Sequence, residues 1–420
     1  MRFTKNILPV IYTALAALML GALPSKGLSA EETWALVKVP STDLSLGRLS
    51  RSTYSPYAYY NEFPCAPDKG ASACLRFHQL KFNELVKVRT HSAHEVKCEV
   101  QHFFYRGHDK KEYKTAWVLK EDLIFLKDLP YKSVLPHIPP PCRRNVPVSQ
   151  YNKNILTLTQ PWFDKKTGHT YSAGTRFVRN ASADTKDSYA IFVIASDSLR
   201  SRVRHVPREV ALVAYPQDIP QATALFVKIL KEWAHAQEGI IPYVFGGCSY
   251  NGKIVPRGFS LISHIRSGKE ISYWQRKNLQ QQSLSGFDCA SMILCAAQIC
   301  GIPYFYKNSS TLYCEMEMLK KNETIQDGDI LWYSGHLMVV SDVKKNLLIE
   351  AAGYDTGYGK VHEISIDKVF KRIATYKELV AAYHKKAPLE RLHSSGRSLK
   401  PIYNLKIFTL KSLWKNTRRR

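Results

Sequence analysis

Residues 285–300, SGFDCASMILCAAQIC, put an Asp-Cys pair where a loop turns into an apolar run. Met292, Ile293, Ala296 and Ala297 recur at helical spacing, so the run reads as a helix beginning near Cys289. With Asp288 near the N-cap, Cys289 falls in the first turn, where orphan N–H groups and the positive helix end favour a thiolate. A thiol with a lowered pKa is a nucleophile. Taken alone, the stretch also reads as a small core hydrophobe, the reading given to Cys295 and Cys300 in the same run.

A base lies downstream. GDILWYSGHLMVVSDV (328–343) sets His336 after a Ser-Gly turn at the start of a strand, which presents an imidazole at a sheet edge. A half-exposed strand histidine is the competing reading, in a chain with 14 histidines. NLLIEAAG (346–353) then brings Glu350 onto the next strand. A carboxylate there can accept the second imidazole N–H, orient the ring and stabilise its protonated form. Cys, His and carboxylate in this order make a papain-like triad.

The elements that must hold these residues follow from the patterning. Residues 33–135 are β-rich: ELVKVRT and EVKCEV alternate apolar and polar, and TAWVLKEDLIFL closes the unit. PHIPPPCRRNVPVSQ (136–150) reads as a semi-rigid linker, since its prolines cannot continue a helix or a central strand. A second β-rich unit spans 151–213. From Pro220, PQATALFVKILKEWAHAQ has helical spacing, and the strand-like runs come after the helices, so 220–382 reads as an α+β domain. Residues 384–420 carry eleven Lys and Arg against one acid and read as a basic C-terminal tail. The expected fold class is multidomain, with N-terminal all-β barrels followed by an α+β catalytic domain.

Four motifs, PYVFGG (242–247), GFDCASM (286–292), GDILWYSGH (328–336) and LLIEAAG (347–353), give 220–380 a family resemblance. The segment resembles the NlpC-type cell-wall endopeptidases, papain-like cysteine peptidases that cut bacterial peptidoglycan stem peptides. The resemblance implies Cys289 as nucleophile and His336 as base. It implies an oxyanion site made by the Tyr243 hydroxyl and the Cys289 N–H; the plain alternative for Tyr243 is a packed aromatic. Asp288 matches an acidic position that contacts a substrate amine, and Ser309 or Ser310 matches a serine sharing that task. The bond implied is the one between D-glutamate and the diamino acid. Ala290 and Ser291 depart from the usual residues after the nucleophile. Glu350 stands where histidine is common, with His362 as the weaker substitute. Upstream, ALVKVPSTDLSL, FHQLKFNELVKVRT and AWVLKEDL resemble bacterial SH3-like barrels, YSAGTRFVRN resembles a second one, and residues 52–74 are a long insertion.

The N-terminus fits an export signal over 1–30: Arg2 and Lys5, then ILPVIYTALAALMLGAL, then GLSA ending at Ala30. An uncleaved anchor is the alternative. Either way the bulk of the chain is expected in the periplasm or cell envelope. Nine cysteines leave at least one unpaired, and Cys65 with Cys74 is the expected local pair. A net charge of +25 favours anionic wall polymers or a membrane surface, engaged through the basic tail; export argues against nucleic acid. Neither a zinc-type Cys/His spacing nor a metalloprotease helix is present, so no metal or cofactor is expected. The reading is a monomeric cysteine endopeptidase. The alternatives are a non-catalytic wall-binding protein and an amidase or acyltransferase of related fold.

Overall fold

The computed structural model describes residues 33–48, 53–54, 64–65, 76–107, 111–129, 132–142, 154–195, 197–216, 218–236, 240–252, 271–272 and 285–417. The export signal over 1–30, Cys74 of the expected local pair and most of the 52–74 insertion lie outside the described residues. Among the described residues, no helix is long and apolar enough to cross a membrane.

The chain is sheet-rich, with several separate sheets and few helices. The first unit is one seven-stranded sheet, in the spatial order Arg76–Lys81, Ser41–Ser45, Thr115–Leu119, Glu95–Glu99, Leu85–His91, Trp34–Val37, Leu123–Phe125. Alternation sets its core: Val86, Val96, Cys98, Ala116 and Val118 point into one cluster. The second unit is a five-stranded antiparallel sheet running from Ser201–Pro207 to Ala211–Leu212. Phe82 of the first unit packs into the second unit's aromatic core beside Tyr171 and Phe177. The described part of the proline-rich segment is packed down. Cys142 is buried against Tyr215 and Phe305, and Arg176 Nη1 donates to Pro140 O at 2.7 Å.

In the third unit, helix α1 (Ile219–Ala234) starts on an Asp218 cap whose carboxylate accepts from Gln221 N. It buries Phe226, Ile229, Leu230 and Trp233 along one face. Two short strands follow, β1 (Cys248–Ser249) and β2 (Gly286–Phe287), paired to each other. Next come α2 (Cys289–Ile299) and α3 (Ser309–Glu315). The central sheet contains β3 (Ile330–Tyr333), β4 (His336–Asp342), β5 (Leu347–Ala352) and β6 (Lys360–Ser365). After these lie α4 (Tyr376–Lys385), the hairpin β7 (Leu389–Leu392) and β8 (Ser398–Ile402), and β9 (Lys406–Phe408).

The spatial order is β6-β5-β4-β3-β9. Successive residues of β4 point to opposite faces. Leu337 and Val339 join the core under α1 and α2, while Met338 and Val340 join a second core under α4 and the β7–β8 hairpin. The sheet is therefore covered on both sides, which is why β4 reads HLMVVS with no polar stripe.

The region 384–420 differs from its expected form as a basic tail. Strand β9 pairs with β3, Ile330 opposite Phe408, and Ile407 and Phe408 are fully buried. Of the charges that suggested a tail, Lys385, Lys386, Arg397 and Lys400 are exposed on this folded segment, while Arg391 is buried.

Candidate functional site

Helix α2 begins where the sequence suggests. Asp288 is extended (φ −85°, ψ 171°), and its Oδ1 accepts from Ser291 N at 2.6 Å. That carboxylate caps the helix and leaves Cys289 as its first residue. Ahead of it, β2 is pinned by Val244 N donating to Phe287 O at 3.0 Å and by Trp233 stacked on Phe287 at 4.8 Å. Gly286 lies so close to Val244 and Pro242 that a Cβ there would sit 2.3 Å from Val244 Cγ2. Only glycine fits between them.

His336 is delivered by the β3–β4 hairpin. Tyr333 pairs with His336 across a Ser334-Gly335 turn, and Gly335 takes φ +88°. The imidazole Nε2 lies 2.7 Å from Glu350 Oε2, which leaves Nδ1 as the nitrogen able to work on a thiol. The Cys289 thiol accepts from the backbone N–H of Leu337, the residue that follows His336. Helix start and strand start therefore meet at the sulfur.

Glu350 is the centre of a larger buried network. Its Oε1 lies 3.1 Å from His362 Nε2, and Arg391 Nη2 donates to both oxygens at 2.7 and 2.8 Å. His362 lies opposite Glu350 in the β5–β6 register. Burial alone would push the Glu350 carboxyl up; Arg391 and the two imidazoles overcome this and hold it well below the usual carboxylate range. Glu350 is thus a fixed negative charge that sets the His336 tautomer and ring orientation.

The thiol itself behaves differently from expectation. Burial, followed by the nearby Asp288 charge, pushes Cys289 up to about 12, against smaller lowering effects from the Leu337 N–H and Lys307. The end of a helix cannot offset a desolvated site with a carboxylate beside it. The resting form of Cys289 is therefore the protonated thiol.

Asp288 also differs from its expected role. Its second oxygen, Oδ2, accepts from Lys307 Nζ at 2.9 Å, and the same ammonium donates to Ser291 Oγ at 2.6 Å. Lys307 is only 2% exposed. Both carboxylate oxygens are thus engaged within the chain. Ser309 and Ser310 open α3 behind an Asn308 cap, and Ser309 O accepts from Trp332 Nε1 at 2.9 Å. The group that meets Asp288 is Lys307, two residues before Ser309.

Tyr243 bridges to Phe287 of β2, and its N donates to Gly359 O at 2.9 Å. Its ring edge lies 3.9 Å from the position a Cβ on Gly353 would take, beyond the end of β5. The residue is partly buried against the main core. The first unit reaches the same wall: Arg76 Nε donates to Phe245 O at 2.9 Å, and Gln79 Oε1 accepts from Cys248 N at 3.0 Å.

Two residues of this arrangement escape sequence reasoning. Lys307 sits in YFYKNSS, where a lone lysine among buried aromatics was the available signal. Arg391 sits in LERL, whose alternation buries Leu389 and Arg391 on the same side. Among the described residues, no cluster of three or more His, Cys, Asp or Glu could hold a metal.

No protein-family model matches the chain, and no curated protein matches its sequence. Among solved structures, it is similar to an NlpC/P60 family protein from Bacillus cereus, at 12% identity over 80% of this chain and 94% of that one, with a TM-score of 0.48. It is also similar to NlpC1 from Trichomonas vaginalis, at 10% identity over 82% and 91% of the two chains, TM-score 0.29. NlpC2 from the same organism gives 10% identity over 81% and 94%, TM-score 0.29. These identities and scores are too low to bear on function, which rests on the site's own residues.

Proposed function

We propose that the chain is an exported cysteine endopeptidase acting on peptidoglycan stem peptides, at the bond between D-glutamate and the diamino acid. The observation that carries this is the His336–Glu350 pair at 2.7 Å, set beside a helix-start cysteine whose sulfur meets the Leu337 N–H. In this mechanism His336 Nδ1 takes the Cys289 proton as sulfur attacks the amide carbon. The Tyr243 hydroxyl and the Cys289 N–H receive the oxyanion. The imidazolium then protonates the leaving amine, and the neutral ring activates the water that hydrolyses the acyl-enzyme. Glu350, held ionised by Arg391, keeps the ring in the tautomer that can accept at Nδ1.

The two N-terminal β units, SH3-like in this reading, form one wall of the cleft, and the chain works as a monomer in the periplasm or cell envelope. Its net charge of +25 holds it to anionic wall or membrane surfaces. The internal commitment of Asp288 to Lys307 favours stems that present no free amine at that subsite.

The test is incubation of the wild-type chain and Cys289→Ala with wall sacculi and, separately, with free tripeptide and tetrapeptide stems, products read by mass spectrometry. Peptide release that vanishes in the variant is the expected result. Equal release by both proteins would reject Cys289 as nucleophile, and no release from any substrate would reject the peptidase reading.

A further inference from the structure

The catalytic reading leaves two buried thiols unused, and they do not stand alone. Cys248 on β1 and Cys295 in the middle of α2 are 1% and 2% exposed, and each acts on the other's ionisation. Lys81, at the end of a strand of the first unit, brings its Nζ to 3.8 Å from Cys248 Sγ. Cys248 Sγ also lies 3.9 Å from Ser291 O, and Cys295 Sγ lies 3.7 Å from Ala173 O in the second unit. Gly174, at φ +83°, seals the cluster: a Cβ there would fall 2.8 Å from Cys295 Sγ and 2.9 Å from Lys81 Cε. All three units thus close around one lysine and two sulfurs.

The charges explain why sulfur is needed there. Among the described residues, Lys81 has one carboxylate partner, Glu84 Oε1 at 3.5 Å, and Glu84 also acts on the nearby Arg176 guanidinium. Two buried cations share one anion, which is costly unless a second negative group is supplied. Cys248, with its sulfur 3.8 Å from Lys81 Nζ, is the group placed to supply it. Burial opposes its ionisation, but the neighbouring Cys295 thiol and then the Lys81 and Lys307 charges outweigh burial and bring Cys248 down to about 7. Cys295 is pushed the other way, as the partner that keeps its proton. A cavity of about 40 Å³ lined by Lys81, Cys295, Arg176 and Gln298 opens on the Cys295 side of the cluster, and Cys248 lies behind Cys295 and Lys81. The cavity has room for a molecule of about the size of water or hydrogen peroxide.

We propose that Cys248 and Cys295 form a second thiol site, a dithiol that hydrogen peroxide converts to a disulfide while the nucleophile Cys289 stays reduced. The Cys248 sulfur attacks one peroxide oxygen, the O–O bond breaks, and the departing hydroxide takes a proton to become water. Cys248 is then a sulfenic acid. The Cys295 sulfur attacks it, the S–O bond breaks as the S–S bond forms, and the Cys295 proton leaves in a second water. Two thiols lose two electrons in total, and peroxide gains them. The inference stands whether or not Cys289 cuts peptides.

The experiment treats the folded full-length chain with stepwise hydrogen peroxide, blocks remaining thiols with N-ethylmaleimide, and digests without reduction for mass spectrometry. The expected product is the Cys248 peptide joined to the Cys295 peptide, at doses where Cys289 still takes up the maleimide. Cys295→Ser should stop at a Cys248 sulfenic acid that dimedone traps. Lys81→Met should slow the joining by about tenfold or more at pH 7, and Lys81→Arg should restore it. The wild-type result decides the matter if a variant fails to fold. Maleimide on both Cys248 and Cys295 after peroxide, or oxidation of Cys289 ahead of them, would overturn the proposal.

Discussion

Replacing Arg391 by methionine removes one charge from the middle of the Glu350 network and little volume. In the native chain each Glu350 oxygen has two partners: Oε1 has His362 and Arg391, and Oε2 has His336 and Arg391. Glu350 is completely buried and Arg391 nearly so. Taking away the guanidinium leaves a desolvated carboxylate facing two imidazoles, and breaking a buried pair from one side costs roughly 3–5 kcal/mol. Methionine fits the apolar side of the site, where Arg391 Nη1 now lies 3.3 Å from Met338 Sδ. If the loss comes from the stranded charge, neutralising it should return stability. The double variant Arg391→Met/Glu350→Gln should recover about 2 kcal/mol or more relative to the sum of the two single variants. Urea unfolding of the full chain, compared across the four proteins at pH 7, measures this. Acid titration gives a second check. The folded Glu350 carboxyl lies below its unfolded value of 4.5, so its contribution is complete above that pH and is lost as pH falls toward the folded value. The wild-type urea midpoint should therefore drop more steeply below pH 4.5 than that of Glu350→Gln. A loss under about 1 kcal/mol in Arg391→Met, or strict additivity in the double variant, would refute the view of Glu350 as a charge that Arg391 holds in place.

Because burial and Asp288 hold the Cys289 thiol near 12, its iodoacetamide alkylation should keep rising through pH 9 without a plateau. Asp288→Asn keeps an N-cap acceptor and removes the charge, so it should speed alkylation several-fold at pH 8; an unchanged rate would mean the carboxylate does not act on the sulfur. Tyr243→Phe should lower kcat by about a hundredfold on any stem peptide that the wild type cleaves, with little change in KM; a pure KM effect would make it a binding residue. At the start of α4, Thr375 and Glu378 form a complete capping box. Thr375→Ala should cost about 1 kcal/mol in urea unfolding and leave Cys289 alkylation untouched.

The Asp-Cys helix start, the Ser-Gly hairpin before His336 and the β5 carboxylate were legible because each is a local pattern: a cap, a tight turn, an alternating strand. What stayed hidden depends on tertiary contact. The thiol's high pKa comes from burial of a whole helix end, which no local motif reports. Lys307 looks like a loop cation until α3 and α2 are side by side. Arg391 was grouped with its basic neighbours because net charge cannot tell an inward guanidinium from outward ones. The 384–420 segment illustrates the same limit: its composition is that of a solvated tail, yet Leu389, Ile402 and Ile407 fill the core on one side of the sheet and Phe408 the core on the other. The Cys248–Lys81 contact joins residues far apart in sequence, and spacing alone could not bring them together.

The position of Arg391 has a consequence for how the protein is made and destroyed. The guanidinium that makes a buried Glu350 tolerable is carried by a strand whose first residue follows Cys289 by a hundred positions, and β9 closes the edge of the sheet later still. A chain cut after α4 would keep Cys289, His336 and Glu350 yet hold an unmatched negative charge in an open sheet. Proteolytic clipping of the hairpin would therefore strip Glu350 of its cation and leave the carboxylate desolvated between two imidazoles, so the C-terminal hairpin is part of what holds the His336 side of the sheet together.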